Sequence, residues 1–164
     1  MTVELSFDEG DLSLGELQSA LEQLPSILDD KLADAATDIA QRLVGTAREN
    51  APVDTGQLRS SLEGATEQIS ETIHRVVVGS NLDSAGQMEY GTDPGYSPPV
   101  SELRDWARRV LGDESAAYPV ARSISESGLD ERRYLRDAFE EHLDWALQRW
   151  GQAIRAAFEE VGMT

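Results

Sequence analysis

Two long apolar periodicities, one towards each end of the chain, constrain its fold more than any other feature. Leu14, Leu17, Leu21, Leu24, Leu28, Leu32, Ile39 and Leu43 recur at steps of three, four or seven residues, and Ala35 and Ala36 fill the gap. Side chains spaced in this way share one face of an α-helix. The pattern predicts a long amphipathic helix over residues 26–49, broken or bent near Pro25 and stopped at Pro52. A short helix precedes it, opened by a Ser13–Glu16 capping box. Leu135, Phe139, Leu143, Ala146, Leu147, Trp150, Ile154, Phe158 and Val161 form the second stripe. It predicts a helix from Arg132 to about Val161, with Gly151 weakening its interior and marking a bend. At 1.5 Å per residue this helix reaches about 45 Å, more than one small core covers, so its distal half is a candidate subunit contact. A coiled-coil partner helix competes for the first stripe, but packing against the protein's own sheet is the expected use.

Between the stripes the chain changes character. Val3, Leu5 and Phe7 alternate with polar residues, which reads as a short strand or extended arm ended by Gly10. Residues 51–63 begin as a turn and become a strand candidate, and Ile69 with the run Ile73–Gly79 reads as a hairpin. A short segment, Ala85–Tyr90, is closed by the loop 91–99, which holds three prolines and two glycines. Beyond it, Val100–Leu111 and Ser115–Ser127 read as helices closed by Gly112 and Gly128. The expected class is therefore α+β, with a long N-terminal helix, a small antiparallel sheet, a helical insertion and a long C-terminal helix. At 164 residues the prior is a single domain, 1–164, with 100–128 as the insertion and 140–164 as a helical extension.

Charge narrows the partners. The chain has 31 acidic against 14 basic residues and a formal net charge of −17, and Lys31 is its one lysine. An acidic surface of this size argues against a grip on duplex DNA, because phosphate binding needs a basic face that releases counterions. The acidic excess with scarce lysine also fits a halophilic, archaeal host, where a Debye length of about 3 Å in molar salt screens the self-repulsion. Cysteine is absent, which excludes disulfides and thiolate chemistry. No run has the length and apolarity of a membrane span, and the first residues lack the pattern of a signal peptide.

A catalytic constellation is not expected. His74 and His142, the two histidines, lie outside any metal-ligand spacing and read as surface or boundary residues. Asp54 and Thr55, between Pro52 and Gly56, fit a turn in which the Asp54 carboxylate accepts the backbone N–H two residues on. Glycine-rich nucleotide motifs are missing. The acidic loop Asp93–Ser97 lacks the oxygen-ligand spacing of a calcium loop. The expectation is a protein that is not an enzyme and has no metal and no cofactor.

Three ordered segments carry a resemblance. Ala51-Pro52-Val53-Asp54-Thr55-Gly56-Gln57-Leu58-Arg59-Ser60-Ser61-Leu62 follows a long amphipathic helix and looks like an "aPvdTGxLrxSi" hallmark. Met88-Glu89-Tyr90-Gly91-Thr92 is similar to "yvEyGT". Arg133-Tyr134-Leu135-Arg136-Asp137-Ala138-Phe139 resembles "pFlrpAl", with Arg133, Tyr134 and Asp137 departing from it. Together they resemble the siphovirus and myovirus head-to-tail neck family, also described as minor tail or tail-completion proteins.

The resemblance implies a structural virion protein that forms a homo-oligomeric ring, a hexamer in preference to a dodecamer, made in the host cytoplasm. Such a ring would sit between a head-side connector and a tail-side tube or terminator protein and continue the channel through which DNA passes without specific binding. A tail terminator, a head-closure adaptor or, more distantly, a non-virion helical interaction module are the alternatives. The implied subunit-interface residues are Asp54, Thr55, Gly56, Arg59, Glu89, Tyr90, Gly91, Thr92, Arg136 and Trp150. Glu89, Tyr90 and Gly91 would lie at a strand end, whereas Leu58, Leu62, Tyr90, Leu135 and Phe139 also fit an ordinary core. Gly56 would turn the helix into the sheet where a Cβ does not fit.

The charge reading has a direct test. Thermal melting should give a clearly higher Tm in 3 M than in 0.1 M KCl, by screening of the acidic surface; equal values would remove the halophilic reading.

Overall fold

A computed structural model describes residues 13–163; the expected strand at Val3, Leu5 and Phe7 lies outside them. In chain order the elements are α1 (Leu14–Asn50), α2 (Gln57–Ser61), β1 (Leu62–Ser70), β2 (Ile73–Ser80), α3 (Ala85–Tyr90), α4 (Val100–Leu111), α5 (Ala117–Ser127) and α6 (Tyr134–Glu160). A single 3₁₀ turn, Glu114–Ala116, precedes α5. The class is α+β, with two long helices and one antiparallel two-stranded ribbon.

Helix α1 starts at the expected capping box. Glu16 Oε2 accepts the Ser13 N–H at 2.9 Å and its hydroxyl at 2.7 Å, and the Glu16 N–H reaches back to Ser13 Oγ at 3.3 Å. These donors hold the Glu16 carboxyl below its ordinary pKa. The expected break near Pro25 does not occur, because α1 runs unbroken through it. Pro25 removes one N–H from the ladder, but both it and Leu21, whose carbonyl loses that donor, are exposed, so water can satisfy the carbonyl. Residues 57–61, expected to lead into the strand, form α2 instead, and the strand begins at Leu62. Gly56 caps α2 in the left-handed region, at φ 79°. An added Cβ there meets open space, so the backbone angle is the constraint and not the packing expected from the sequence.

The chain divides into two compact units. One comprises the described parts of Met1–Arg42, Ala65–Val77 and His142–Thr164. In it Leu32 and Ala35 of α1 pack on Ala153 of α6, flanked by Leu28 and Trp150. Arg149 pairs with Asp38 at 2.7 Å and Lys31 with Glu160 at 2.7 Å beside this contact. The ribbon is fastened to α1 through one carboxylate: Asp29 accepts from Gln68 Nε2 at 2.8 Å and lies 2.8 Å from His74 Nε2. Side chains alternate across a strand. The opposite ribbon face, marked by the Glu67–Arg75 pair, therefore carries Ile69, Ile73 and Val77, all exposed.

The second unit comprises Leu43–Gly64 and Val78–Glu141. Its core joins Ala47 and Ala51 to Leu62, Tyr134 and Ala138, with Leu58, Met88 and Leu135 packed around them. Arg48 donates to the Leu62 carbonyl at 2.7 Å, and Ser61 Oγ lies 2.7 Å from Ser80 Oγ, which fixes where the ribbon leaves the core. Helices α4 and α5 end at Gly112 and Gly128, as the sequence predicts.

Helix α6 runs through Gly151 unbroken. Its buried line is Tyr134, Ala138, His142, Ala153 and Ala157, not the stripe of large apolar residues expected from the sequence. Phe139, Leu143, Leu147, Ile154 and Phe158 are exposed on its flank. Alanines let helix backbones approach closely, so small residues took the contact and displaced the bulky ones.

Glycine substitutions separate backbone from packing effects. Gly151→Ala has open space for its Cβ and should raise stability by roughly 0.5–1 kcal/mol in urea melts. Gly128→Ala, at φ 78° with its Cβ driven into the Thr92 carbonyl, should lose more than that gain; a neutral Gly128→Ala would contradict the close approach.

Candidate functional site

The three resemblance segments meet in one place. Ala51, Leu58 and Leu62 from the first, Met88 from the second and Tyr134, Leu135 and Ala138 from the third share the same core cluster. Glu89 sits at its edge, 2% exposed. It lies on helix α3 and not at the strand end expected from the sequence.

Glu89 performs the work of a helix cap from a distance in sequence. Helix α6 begins at Tyr134, preceded by Arg133 at φ 51°. Glu89 Oε2 accepts the Leu135 N–H at 2.8 Å and Oε1 the Arg136 N–H at 2.9 Å. These are the two donors an N-cap side chain would ordinarily satisfy. A carboxylate there also faces the positive end of the helix dipole, which offsets the cost of burying it.

The neighbouring backbone completes the latch. Arg132 N–H donates to the Met88 carbonyl at 2.9 Å and Arg133 N–H to the Glu89 carbonyl at 3.1 Å. Thr92 and Leu129 exchange backbone bonds of 3.0 and 3.1 Å, an isolated antiparallel bridge, and Thr92 Oγ1 adds a third at 3.1 Å. Gly91 at φ 70° and Gly128 flank the bridge, and a Cβ on either would collide with the opposing backbone. Tyr134, fully buried, donates its hydroxyl to the Ala85 carbonyl at 3.2 Å. Burial and then the Glu89 charge push its phenol above the ordinary tyrosine pKa.

The expected interface residues thus divide by position. Glu89, Gly91 and Thr92 are committed to the latch, so Glu89 does not present its carboxylate at the surface. Trp150 packs against the Leu32, Ala35 and Ala153 cluster. Thr55 Oγ1, and not Asp54, accepts the N–H two residues on, that of Gln57, at 3.3 Å. Asp54 instead takes a bidentate pair with Arg109 of α4, at 2.5 and 3.2 Å, and this pair raises the Arg109 pKa. Arg59 is exposed. Tyr90 is 68% exposed and Phe139 42%, so neither is the core residue that the alternative reading made it. The Arg136 guanidinium lies 5.9 Å from the Tyr90 ring centre and 3.8 Å from Glu131.

Two features were missed. The side chain of His74, read as a boundary residue, is only 5% exposed and is held by Asp29; its inward position in β2 could have been found from its alternation with Ile73 and Arg75. Arg42 stacks 4.4 Å over Trp145, beside His142, on a shallow open groove also lined by Asp38 and Gln41. No sequence spacing pairs these two helices. Among the described residues no group of three or more His, Cys, Asp or Glu could hold a metal ion, and no helix is long and apolar enough to cross a membrane.

Residues 15–91 match the family model described as "HK97-gp10_like: Bacteriophage HK97-gp10, putative tail-component". Over that stretch the chain is similar to the HK97-gp10-like family. The match runs from Gly15 in α1 to Gly91 and so includes the first resemblance segment and the second except for Thr92; the third lies beyond it. The description of that family, a putative phage tail component, points to a structural tail protein. No curated protein and no solved structure matches the chain.

The latch makes two predictions. Glu89→Ala removes the acceptor of two part-buried donors and, as the loss of an N-cap, should lower stability by about 1–2 kcal/mol in urea melts; a loss below about 0.5 kcal/mol would refute the cap. Tyr134 acts at the alkaline end. Its folded pKa is raised, so the stability it contributes is complete below the ordinary tyrosine value of 10.0 and is lost as pH rises above it. Tyr134→Phe should flatten that alkaline loss, while an unchanged pH profile would remove Tyr134 as its source.

Proposed function

We propose that this tail component is a non-enzymatic ring subunit of the neck or tail-completion region, joining head to tail and continuing the DNA channel. The observation that carries the reading is the convergence of the family segments. Their polar and glycine residues, Glu89, Gly91 and Thr92 above all, are spent on holding α3 against the start of α6, which suits a rigid scaffold. A ring of identical subunits requires heterologous contacts whose rotation closes the circle, and rigid subunits fix that rotation.

An acidic lumen fits the same role. With a net charge of −17, such a ring would repel phosphates and let the duplex move through without being held. Lysine scarcity with this acidic excess favours a virus of a halophilic host. Six copies match tail symmetry better than twelve.

Imaging of particles from a gene knockout tests the placement. Filled heads beside finished but unattached tails are the expected result. Overlong tails would replace joining with termination, and normal particles together with absence of the chain from purified virions would overturn the virion role.

A further inference from the structure

We propose that residues 2–7 fold back as a third strand along the outer edge of β2 in their own chain and guard that edge. The sheet has two strands, so among the described residues the outer edge of each has N–H and C=O groups that no other backbone pairs. Such an edge is a template for a further strand. Of the two, β2 is the more open to one. Its run Ile73–Ser80 holds Val76, Val77 and Val78, and it lacks the proline, lysine or acidic residue that ordinarily blunts an edge. On its outward face Ile73 and Val77 are 55 and 42% exposed, and Ile69 of β1 beside them is 50% exposed.

Alternation points to the occupant. Val3, Leu5 and Phe7 alternate with Thr2, Glu4 and Ser6, so a strand made of them puts three apolar side chains on one face. That is the spacing of Ile73, Arg75 and Val77 on the outward face of β2. A strand must also pair its own backbone, and the ribbon is the one sheet among the described residues. Charge chooses between the edges. Residues 1–12 hold Glu4, Asp8, Glu9 and Asp11 and no basic residue. Beside β1 they would face Glu63 and Glu67, and like charges on neighbouring strands destabilise a sheet. Beside β2 the charged residue on the outward face is Arg75.

Reach favours the ribbon of the same chain. Asp29, which holds β2 through His74, stands about 24 Å along the helix axis from Ser13. Extended, the residues ahead of Ser13 span up to about 40 Å. The tether also keeps them at an effective concentration on the order of millimolar, far above that of a second copy in dilute solution.

The absence of cysteine allows a single spin label on the full chain to test this. A nitroxide on Ser6→Cys should broaden the amide resonances of residues 73–77 more than those of β1 or of the first turns of α1. The broadening of β2 should disappear when the nitroxide sits on isotopically unlabelled chains refolded together with labelled wild type. Broadening of β2 in that mixture would give the strand to a neighbouring copy, and broadening strongest at residues 14–21 would put it on α1; either result overturns the proposal. Hydrogen exchange gives a second readout. With Val3, Leu5 and Phe7 all changed to Ser and helical circular dichroism retained, the outward amides of β2 should exchange about tenfold faster. Val3→Ile with Leu5→Ile should keep them slow. Exchange in the triple variant equal to that of wild type would also overturn the proposal.

Discussion

The bond between the Glu89 carboxylate and the first turn of α6 is the interaction on which the second unit depends. A helix start leaves N–H groups without partners, and α6 brings no side-chain cap of its own at Arg133, whose positive φ already strains the entry. Glu89 supplies the missing acceptor across 46 residues of sequence. Once it is there, the rest is constrained. The α3 end must lie against the α5–α6 connection, the Thr92–Leu129 bridge can form, and Gly91 and Gly128 must both lack a Cβ for the two backbones to pass. A buried charge tied to two backbone donors tolerates little displacement, which gives the family segments a physical reason to be polar yet structural.

A different economy governs the first unit. Its helices meet through alanines and one leucine, with Trp150 and Leu28 closing the side. Close contact of small residues leaves the large apolar side chains of α6, and the leading leucines of α1, turned outward. In a protein that worked alone this would be a liability. In a protein that works beside others, such surfaces are where a partner packs.

Much of this was legible in the residues. The Ser13–Glu16 box, the hairpin, Gly112 and Gly128 as helix ends, and the two long helices all follow from local rules, because capping, turns and periodicity act within a few positions. The misreadings share one cause. Pro25 was tolerated because its freed carbonyl faces water, and α2 and α3 formed where no periodicity of their own marks them. The sequence shows a substitution pattern, whereas burial decides which local preference prevails.

Sequence by itself therefore determined the helical ends, the ribbon between them, the charge and the family resemblance, since each is written in spacing or composition. Tertiary structure alone decided that Glu89 is a cap and not a surface contact. It likewise decided that Asp54 pairs with Arg109, that His74 is held by Asp29, and that α6 buries its alanines and exposes its leucines. Those outcomes depend on partners 45 or more residues away, and one-dimensional periodicity specifies which residues share a helix face but not which face another helix will choose.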